Sequence, residues 1–257
     1  MTAGPPPRSS PRSPPRTPRL LVLRPEPGAH ATLEAARALG LAAQAYPLFE
    51  IRPRAWPALD PADVDALLIG SANALRHGGA DLDRYRGKPA YCVGAKTAEA
   101  AHDAGLDVVF TGKGGLQATL AALAPGHARL LRLAGRERVT LSPPAGVTIA
   151  TREVYASEAL PACEGLHREL LHAQEGLVAL LHSGEAAARL EELCLAWEIP
   201  THFVHLAAIG PRVSSRLHAR WGRVQDAIEP SDTALLALAA QMCQEIATGS
   251  VQADNHT

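Results

Sequence analysis

Two serine residues lie at matching places in a module that occurs twice in this sequence. Ser71 ends one apolar run and Ser183 ends another, and an Ala-rich stretch typical of a helix follows each. In each copy a second apolar run then ends in glycine, at Gly94 and at Gly210. Hydroxyl and backbone N–H groups at a strand-to-helix turn can hold an anionic ligand. The pattern therefore predicts ligand-binding turns, although both serines could also be plain helix N-caps.

A second set of candidates carries positive charge. Arg136 and Arg138 lie in the segment 134–138, and a guanidinium group matches the planar geometry of a carboxylate. The alternative is a solvated loop in which both arginines pair with Glu137, because exposed charges of this kind are common. Arg24, at the end of the first apolar run, is a further candidate for an anion contact.

Metal and nucleotide chemistry have little support in the sequence. None of the 11 histidines forms a close ligand pair with HxH or HExxH spacing, and the 4 cysteines are far apart. The glycine motifs GxGxxG and GxxxxGKS/T are absent. We therefore expect no metal site and no nucleotide site, and buried free thiols at the cysteines.

Charge and composition exclude several classes of function. The net charge is −1, and the Pro-, Arg- and Ser-rich start carries an excess of positive charge, which leaves an acidic body unlike that of a nucleic-acid-binding protein. No apolar run reaches the roughly 20 residues that span a bilayer. Because no apolar segment at the start resembles a signal peptide, we expect a cytoplasmic protein that acts on a small molecule, with no nucleic-acid or membrane partner.

Apolar runs and helical patterns alternate along the chain from Arg19 onward. Such alternation predicts parallel sheets with helices on both faces. The runs predicted as strands lie at 19–24, 42–51 (interrupted by Pro47), 65–70, 90–93, 107–110, 129–133, 147–154, 177–182, 204–209 and 223–227.

The duplicated module predicts two similar α/β lobes with a ligand cleft between them. The strands from 65 to 150 fit one sheet, so the two earliest strands must join those from 177 to 227 in the other. One lobe is then discontinuous, and the two crossing segments make a two-stranded β-ladder hinge. The predicted parts are a disordered tail at 1–18, a discontinuous α/β domain at 19–46 and 158–246, a second α/β domain at 52–150, a connecting β-ladder at 47–51 and 151–157, and a flexible tail at 247–257.

Eight segments occur in an informative order and spacing. They are RLLVLRPEPGAHATLEAARALG with YPLFEI, LLIGSANALR, YCVGAKTAEAAHDAGLDV, LLRLAGRERVTL, EVYAS, ALLHSGEAAARL, LAAIGPRVSSRL and PSDTALLALA. In this order they resemble uroporphyrinogen-III synthases over about residues 19–243. The resemblance implies two flavodoxin- or Rossmann-like lobes joined by a β-ladder, a monomer, no metal and no organic cofactor. It also implies a lyase of haem and other tetrapyrrole synthesis, which cyclises hydroxymethylbilane to uroporphyrinogen III with loss of water and inversion of ring D.

The resemblance implies where the substrate binds. The expected substrate-binding residues are Arg24, Ser71, Ala72, Asn73, Gly94, Thr97, Gly135, Arg136, Arg138, Ser183, Gly184, Gly210, Arg212 and Ser231. Thr97 matches the family's VG-x-x-T and is expected to cap a helix. Many members have an aromatic residue or Pro where this chain has Ala72-Asn73, so backbone N–H groups are expected to make the contacts there.

Tyr155, on the second crossing segment, is the candidate catalytic residue. Its phenol could act as general acid and protonate the departing hydroxyl of the substrate, or its ring could only pack the hinge. The same fold could also belong to a catalytically inactive ligand-binding or scaffold protein. A third alternative, a nucleotide-binding Rossmann protein, has no support because this chain lacks the glycine fingerprint. Tyr155, the paired serine turns and the two arginines favour the synthase.

Overall fold

The structure of the protein is a computed structural model that describes residues 17–249. Its strands are β1 (Arg19–Val22), β2 (Ala42–Ala45), β3 (Phe49–Pro53), β4 (Ala66–Ile69), β5 (Pro89–Val93), β6 (Asp107–Gly112), β7 (Arg129–Gly135), β8 (Thr148–Ala159), β9 (Leu177–Leu181), β10 (Val204–Ala208) and β11 (Arg223–Asp226). Its helices are α1 (Gly28–Ala38), α2 (Ala72–Arg76), α3 (Ala95–Asp103), α4 (Leu116–Thr119), α5 (Glu164–Leu171), α6 (Gly184–Ala196), α7 (Pro211–Ser214) and α8 (Asp232–Thr248).

The chain divides into two compact units. The first unit contains the described residues up to Phe49 and those from Leu160 onward, and the second is Glu50–Ala159. The predicted tail at 1–18 lies outside the described residues except for its last two positions. At the other end α8 continues to Thr248, inside the segment predicted as a flexible tail, and residues 250–257 again lie outside the described part.

The first unit is built on a five-stranded sheet of order β11-β10-β9-β1-β2, in which all neighbours are parallel. Strand β9 is buried throughout, so its side chains alternate between two apolar clusters. Ala179 and Leu181 pack with helices α5 and α6 on one face, and Leu180 packs with helices α1 and α8 on the other. Helices on both faces are what a buried parallel sheet requires.

The second unit is built on a six-stranded sheet of order β3-β8-β7-β4-β5-β6. The pairs from β8 through to β6 are parallel. On one face Ile69 and Leu133 pack against helices α2 and α3. On the other face Leu68 and Leu130 pack with Leu116, the first residue of α4. Because these strands are parallel, their carboxyl ends lie along one edge of the sheet, and helices α2, α3 and α4 begin there.

The structure confirms the predicted strands, and β1 and β2 join β9, β10 and β11 in one sheet as predicted, whereas the two ladder strands β3 and β8 both belong to the sheet of the second unit. The run at 42–51 is two strands, because Pro47 has no N–H group to continue the ladder. The predicted strand at 147–154 and the ladder segment at 151–157 are one continuous strand, β8, which lies between β7 and β3. Among the helices of residues 17–249, none combines the length and the apolar character needed to cross a membrane.

Candidate functional site

Each unit gathers predicted turns at the carboxyl edge of its own sheet. In the second unit Ser71 follows β4, Gly94 follows β5 and Gly135 ends β7. In the first unit Ser183 follows β9 and Gly210 lies just beyond β10. Because parallel strands end at the same edge, sequence positions far apart meet there, which is where ligands of open α/β sheets bind.

The three predicted serines are helix N-caps. The Ser71 Oγ accepts a hydrogen bond from the Asn73 N–H (3.2 Å) at the start of α2. Ser183 caps α6 and Ser231 caps α8 in the same way, each at 3.1 Å, by accepting from the N–H three residues on. A hydroxyl oxygen that accepts this bond still has its own proton to donate; Ser231 donates that proton to the Glu229 carboxylate (2.9 Å). Capping is therefore established for these serines, and a role in binding stays a prediction.

Thr97 corrects one expectation. Helix α3 begins after Gly94, which is its N-cap and has a left-handed backbone (φ 78°) that favours glycine. Thr97 is the third residue of the helix and is buried. The prediction that Thr97 caps the helix is therefore wrong, because the cap position lies three residues earlier.

Residues Ala72 and Asn73 belong to the first turn of the short helix α2. Ala72 is buried. The Asn73 side chain accepts a hydrogen bond from Arg76 (3.2 Å), and its N–H is occupied by the cap of Ser71. The contacts expected there from backbone N–H groups stay a prediction.

A cavity of about 230 Å³ opens at the carboxyl edge of the second unit, and we call it the edge cavity. It is lined by four of the predicted residues, Ser71, Gly135, Arg138 and Tyr155, together with other residues that include Arg132. The structure thus places these four residues, from three separate segments of the sequence, at one cavity, and their role in binding stays a prediction.

Tyr155 lies directly on Gly135 in this cavity. A shift of register between β7 and β8 pairs the two residues. A Cβ atom at position 135 would lie 2.6 Å from a carbon of the Tyr155 ring, so only glycine fits beneath the ring. Within residues 17–249 the Tyr155 hydroxyl has no hydrogen-bond partner, which leaves it available to a ligand. Its ring also lies near that of His77, with 6.2 Å between the ring centroids.

The loop after β7, residues 136–138, holds more positive than negative charge, and we call it the arginine loop. Three arginines contact the Glu153 carboxylate: Arg136 at 3.2 Å, Arg138 at 3.7 Å and Arg54 at 3.5 Å. Arg138 also donates to the carbonyls of Gly135 (3.1 Å) and Arg136 (2.9 Å). The acid partner is thus Glu153 on β8 and not the neighbouring Glu137. Arg54 also contacts the Glu158 carboxylate at 3.5 Å, so the excess positive charge that attracts anions comes from Arg136 and Arg138, which share Glu153.

Arg132 is a further charged residue at this edge, and sequence reasoning missed it. It lies within β7 and is 5% exposed. Its Nη1 donates to the Val139 carbonyl (2.8 Å), while its buried Nε has no partner. Burial and, second, the nearby Arg138 lower the pKa of Arg132. The available signal was a lone charge in the otherwise apolar run LLRLA.

The first unit has its own carboxyl-edge cavity, of about 480 Å³. The predicted residues Gly184, Gly210 and Arg212 line it, together with Ile228, which is 99% exposed. Arg212 forms no ion pair with any residue of the described part. An open cationic side chain next to exposed apolar surface suits a ligand with both acidic and apolar groups.

The other predicted cation of this unit, Arg24, already has an acidic partner. Its Nη1 lies 2.8 Å from the Asp232 carboxylate. The buried His182 ring lies 3.4 Å from the same carboxylate without hydrogen-bond alignment. The His182 ring and then Arg24 hold the pKa of Asp232 well below its ordinary value. Because Asp232 neutralises Arg24, its expected contact with a ligand stays a prediction.

Comparison with known proteins adds a family match and structural relatives. The family model described as uroporphyrinogen-III synthase HemD matches residues 30–237. The uroporphyrinogen-III synthetase structure from Helicobacter pylori is 16% identical, with a TM-score of 0.60 over 88% of this chain and 99% of that chain. A mutant uroporphyrinogen III synthase from Thermus thermophilus is 20% identical, with a TM-score of 0.49 over 89% and 99%. A search of curated proteins finds no match.

Proposed function

Because the chain belongs to the uroporphyrinogen-III synthase family, we propose that it converts hydroxymethylbilane into uroporphyrinogen III. The substrate is a linear tetrapyrrole with eight carboxylates. It loses its terminal hydroxyl as water, and the ring closes with inversion of ring D. The observation that carries the proposal is the family match, which extends over both units of the chain.

The charge distribution of the second unit supports a polycarboxylate substrate. Arg136 and Arg138 share the carboxylate of Glu153, while Arg54 pairs with both Glu153 and Glu158, so acidic side chains of a ligand would find unbalanced positive charge at Arg136 and Arg138. Guanidinium groups bind carboxylates through paired hydrogen bonds. In the proposed complex, Arg136 and Arg138 hold substrate acid groups, and the turn at Ser71 contributes its hydroxyl proton.

The first unit would bind further acid groups in the same way. Ser183, Gly184 and Gly210 offer a hydroxyl group and backbone N–H groups, and Arg212 supplies a charge without an acidic partner in the described part. Arg24 and Ser231 lie at the same edge and complete the proposed contacts.

Tyr155 is the proposed general acid. Departure of hydroxide is slow unless a proton reaches the oxygen, and a positioned acid contributes typically 10²–10⁴-fold. The Tyr155 phenol lines the edge cavity, so it could meet the leaving hydroxyl of a substrate held by the neighbouring arginines. Loss of that hydroxyl as water gives a cationic azafulvene, and the substituted carbon of ring D must attack the electrophilic methylene carbon of this cation to form the spiro intermediate. Positioning of the chain therefore decides the product.

The reaction loses water and changes no oxidation state, so it requires no redox cofactor. As the family resemblance implies, we propose that the protein acts as a monomeric hydro-lyase without a metal or organic cofactor. We further propose that it acts in the cytoplasm. Gel filtration with light scattering would measure the mass of the particle, and a stable dimer would contradict the monomer.

The direct test supplies freshly made hydroxymethylbilane to the purified protein, oxidises the products and separates isomers I and III by chromatography. Spontaneous closure gives the uninverted isomer I, so we expect isomer III only when folded protein is present. Formation of isomer I alone, at the rate of the protein-free control, would refute the synthase and leave an inactive ligand-binding protein of the same fold.

A further inference from the structure

Arg132 differs from the other charged residues in the range 17–249 because it is buried. Within that range the buried polar and charged residues are three threonines and Arg132, so Arg132 is the one charged member. It forms no ion pair within the described part, and its Nε is buried without a hydrogen-bond partner. Removing a charge from water without a counter-charge is unfavourable, and an unsatisfied buried donor in a native structure calls for a ligand, an ordered water or a catalytic use.

The position of Arg132 favours a ligand. It lines the edge cavity and also a second cavity of about 500 Å³ under the arginine loop. Arg138 lines the same two cavities. Burial and the proximity of Arg138 both lower the pKa of Arg132, which means that the two cations repel each other. A carboxylate between them would remove the repulsion and supply the missing counter-charge.

The acidic residues nearby do not fill this role. Glu137 lines the edge cavity but is exposed and forms no ion pair within residues 17–249. Glu153 contacts Arg138 and two other arginines but not Arg132. No acidic residue of the described part therefore supplies a counter-charge to Arg132.

We infer that Arg132 and Arg138 form an internal carboxylate-binding site that takes one acid side chain of the substrate. The identity of that ligand rests on the proposed function, whereas the site itself rests on the geometry of Arg132. The edge cavity, at about 230 Å³, is several times larger than the roughly 30 Å³ that a water molecule occupies in the liquid. A carboxyl group therefore fits in it. Arg132 would be a substrate-binding residue deeper than the exposed Arg136.

The test replaces Arg132 with methionine and measures the affinity for uroporphyrinogen III, prepared by reduction of uroporphyrin III. Loss of a charged hydrogen-bonding partner should weaken binding about 10- to 100-fold. The melting temperature should stay the same or rise, because an apolar side chain of similar length replaces an unpaired buried charge. Arg132→Lys keeps the charge but not the fork geometry, so its affinity should lie in between.

Arg152→Met is the matched control. Arg152 lies on the neighbouring strand β8 and also donates to backbone carbonyls, those of Pro57 (2.7 Å) and Thr151 (3.2 Å). It pairs in register with Leu133 and so lies on the opposite face from Arg132. This variant should bind uroporphyrinogen III like the unchanged protein. Equal affinity of Arg132→Met and Arg152→Met would overturn the site.

A second measurement does not depend on the reaction. In protein labelled with ¹⁵N-arginine, the Arg132 Nε–H signal is assigned by its absence from Arg132→Lys and followed during titration with propionate. We expect a saturable shift of this signal and none for Arg152. A shift in a protein that fails to make isomer III would retain the site and reject the synthase. An unmoved signal in an active synthase would reject the site and retain the function.

Discussion

At the scale of single residues, the contact between Tyr155 and Gly135 decides how the candidate acid is presented. The ring rests on the glycine so closely that a methyl group would lie 2.6 Å from a ring carbon. The sequence indicated both residues but not their contact, because the contact depends on a shift of register between β7 and β8. Likewise the lone charge of Arg132 was visible in the sequence, but its lack of a partner depends on tertiary packing.

Gly135→Ala should therefore destabilise the protein by about 1–3 kcal/mol, as overpacked sites do, and should lower turnover by displacing the Tyr155 ring. Denaturant unfolding measures the loss of stability. The control is the same change in a Tyr155→Ala background, where the clash is absent and the cost of Gly135→Ala should shrink. An equal cost in both backgrounds would show that the ring does not need this glycine.

Tyr155→Phe should separate activity from stability. We expect turnover to fall by about tenfold, near the low end of general-acid effects, with isomer III still the product because positioning decides ring inversion. The free energy of unfolding should not change, since the hydroxyl has no partner among residues 17–249. Quenched assays with product analysis measure the turnover and the isomer formed, and urea unfolding measures the free energy of unfolding. Unchanged turnover would mean that Tyr155 only packs.

Tyr85→Phe is the opposite control. The Tyr85 hydroxyl is buried and both accepts from the Leu59 N–H and donates to the Leu59 carbonyl, each at 2.9 Å. Its removal should cost stability of about 1–3 kcal/mol, because two backbone groups lose their partner, and should leave turnover unchanged.

At the scale of elements, most of the fold was predictable because strand and helix patterns are local. The run RLLV becomes β1 and LVALL becomes β9, since each is a short buried-type run bounded by turn residues. Helix lengths that depend on packing were harder: residues 114–123 are rich in Ala and Leu, which favour a helix, yet they form the short helix α4 followed by a 3₁₀ turn. The pairing of Arg136 with Glu153 was missed because it depends on which strand lies beside β7.

The serine caps allow a prediction at this scale. Ser183→Ala and Ser231→Ala should each lower the free energy of unfolding by about 0.5–2 kcal/mol, because α6 and α8 lose the acceptor for a first-turn N–H group. The glycine variants at the same positions should cost only a few tenths of a kcal/mol. Thermal and urea unfolding of the four variants provide the comparison, and equal costs for alanine and glycine would argue against capping as the source of stability.

At the scale of the whole molecule, buried histidines should make stability depend on pH. Burial lowers the pKa of His182 and of His205 below the ordinary value of 6.5. Between that value and the lowered pKa, the unfolded chain binds more protons than the folded one, so stability falls as the pH falls. The melting temperature should thus drop between about pH 7 and about pH 5.5.

His205→Gln tests this origin, since it removes one titrating group. The slope of melting temperature against pH should become shallower in His205→Gln, while the exposed His102→Gln should keep the slope of the unchanged protein. A profile that is flat above pH 5 would contradict the prediction that these rings stay neutral in the fold.

Substrate binding at the carboxyl edges of both sheets is the claim on which the proposed function and site most depend. Amide hydrogen exchange with and without uroporphyrinogen III tests it most directly. We predict slower exchange at the carboxyl-edge turns 70–73 and 135–138 of the second unit and 183–186 and 210–213 of the first. The turns at 40–41 and 105–106, at the amino edges, should not change. Protection confined to the amino edges, or none at the carboxyl edges, would contradict the account.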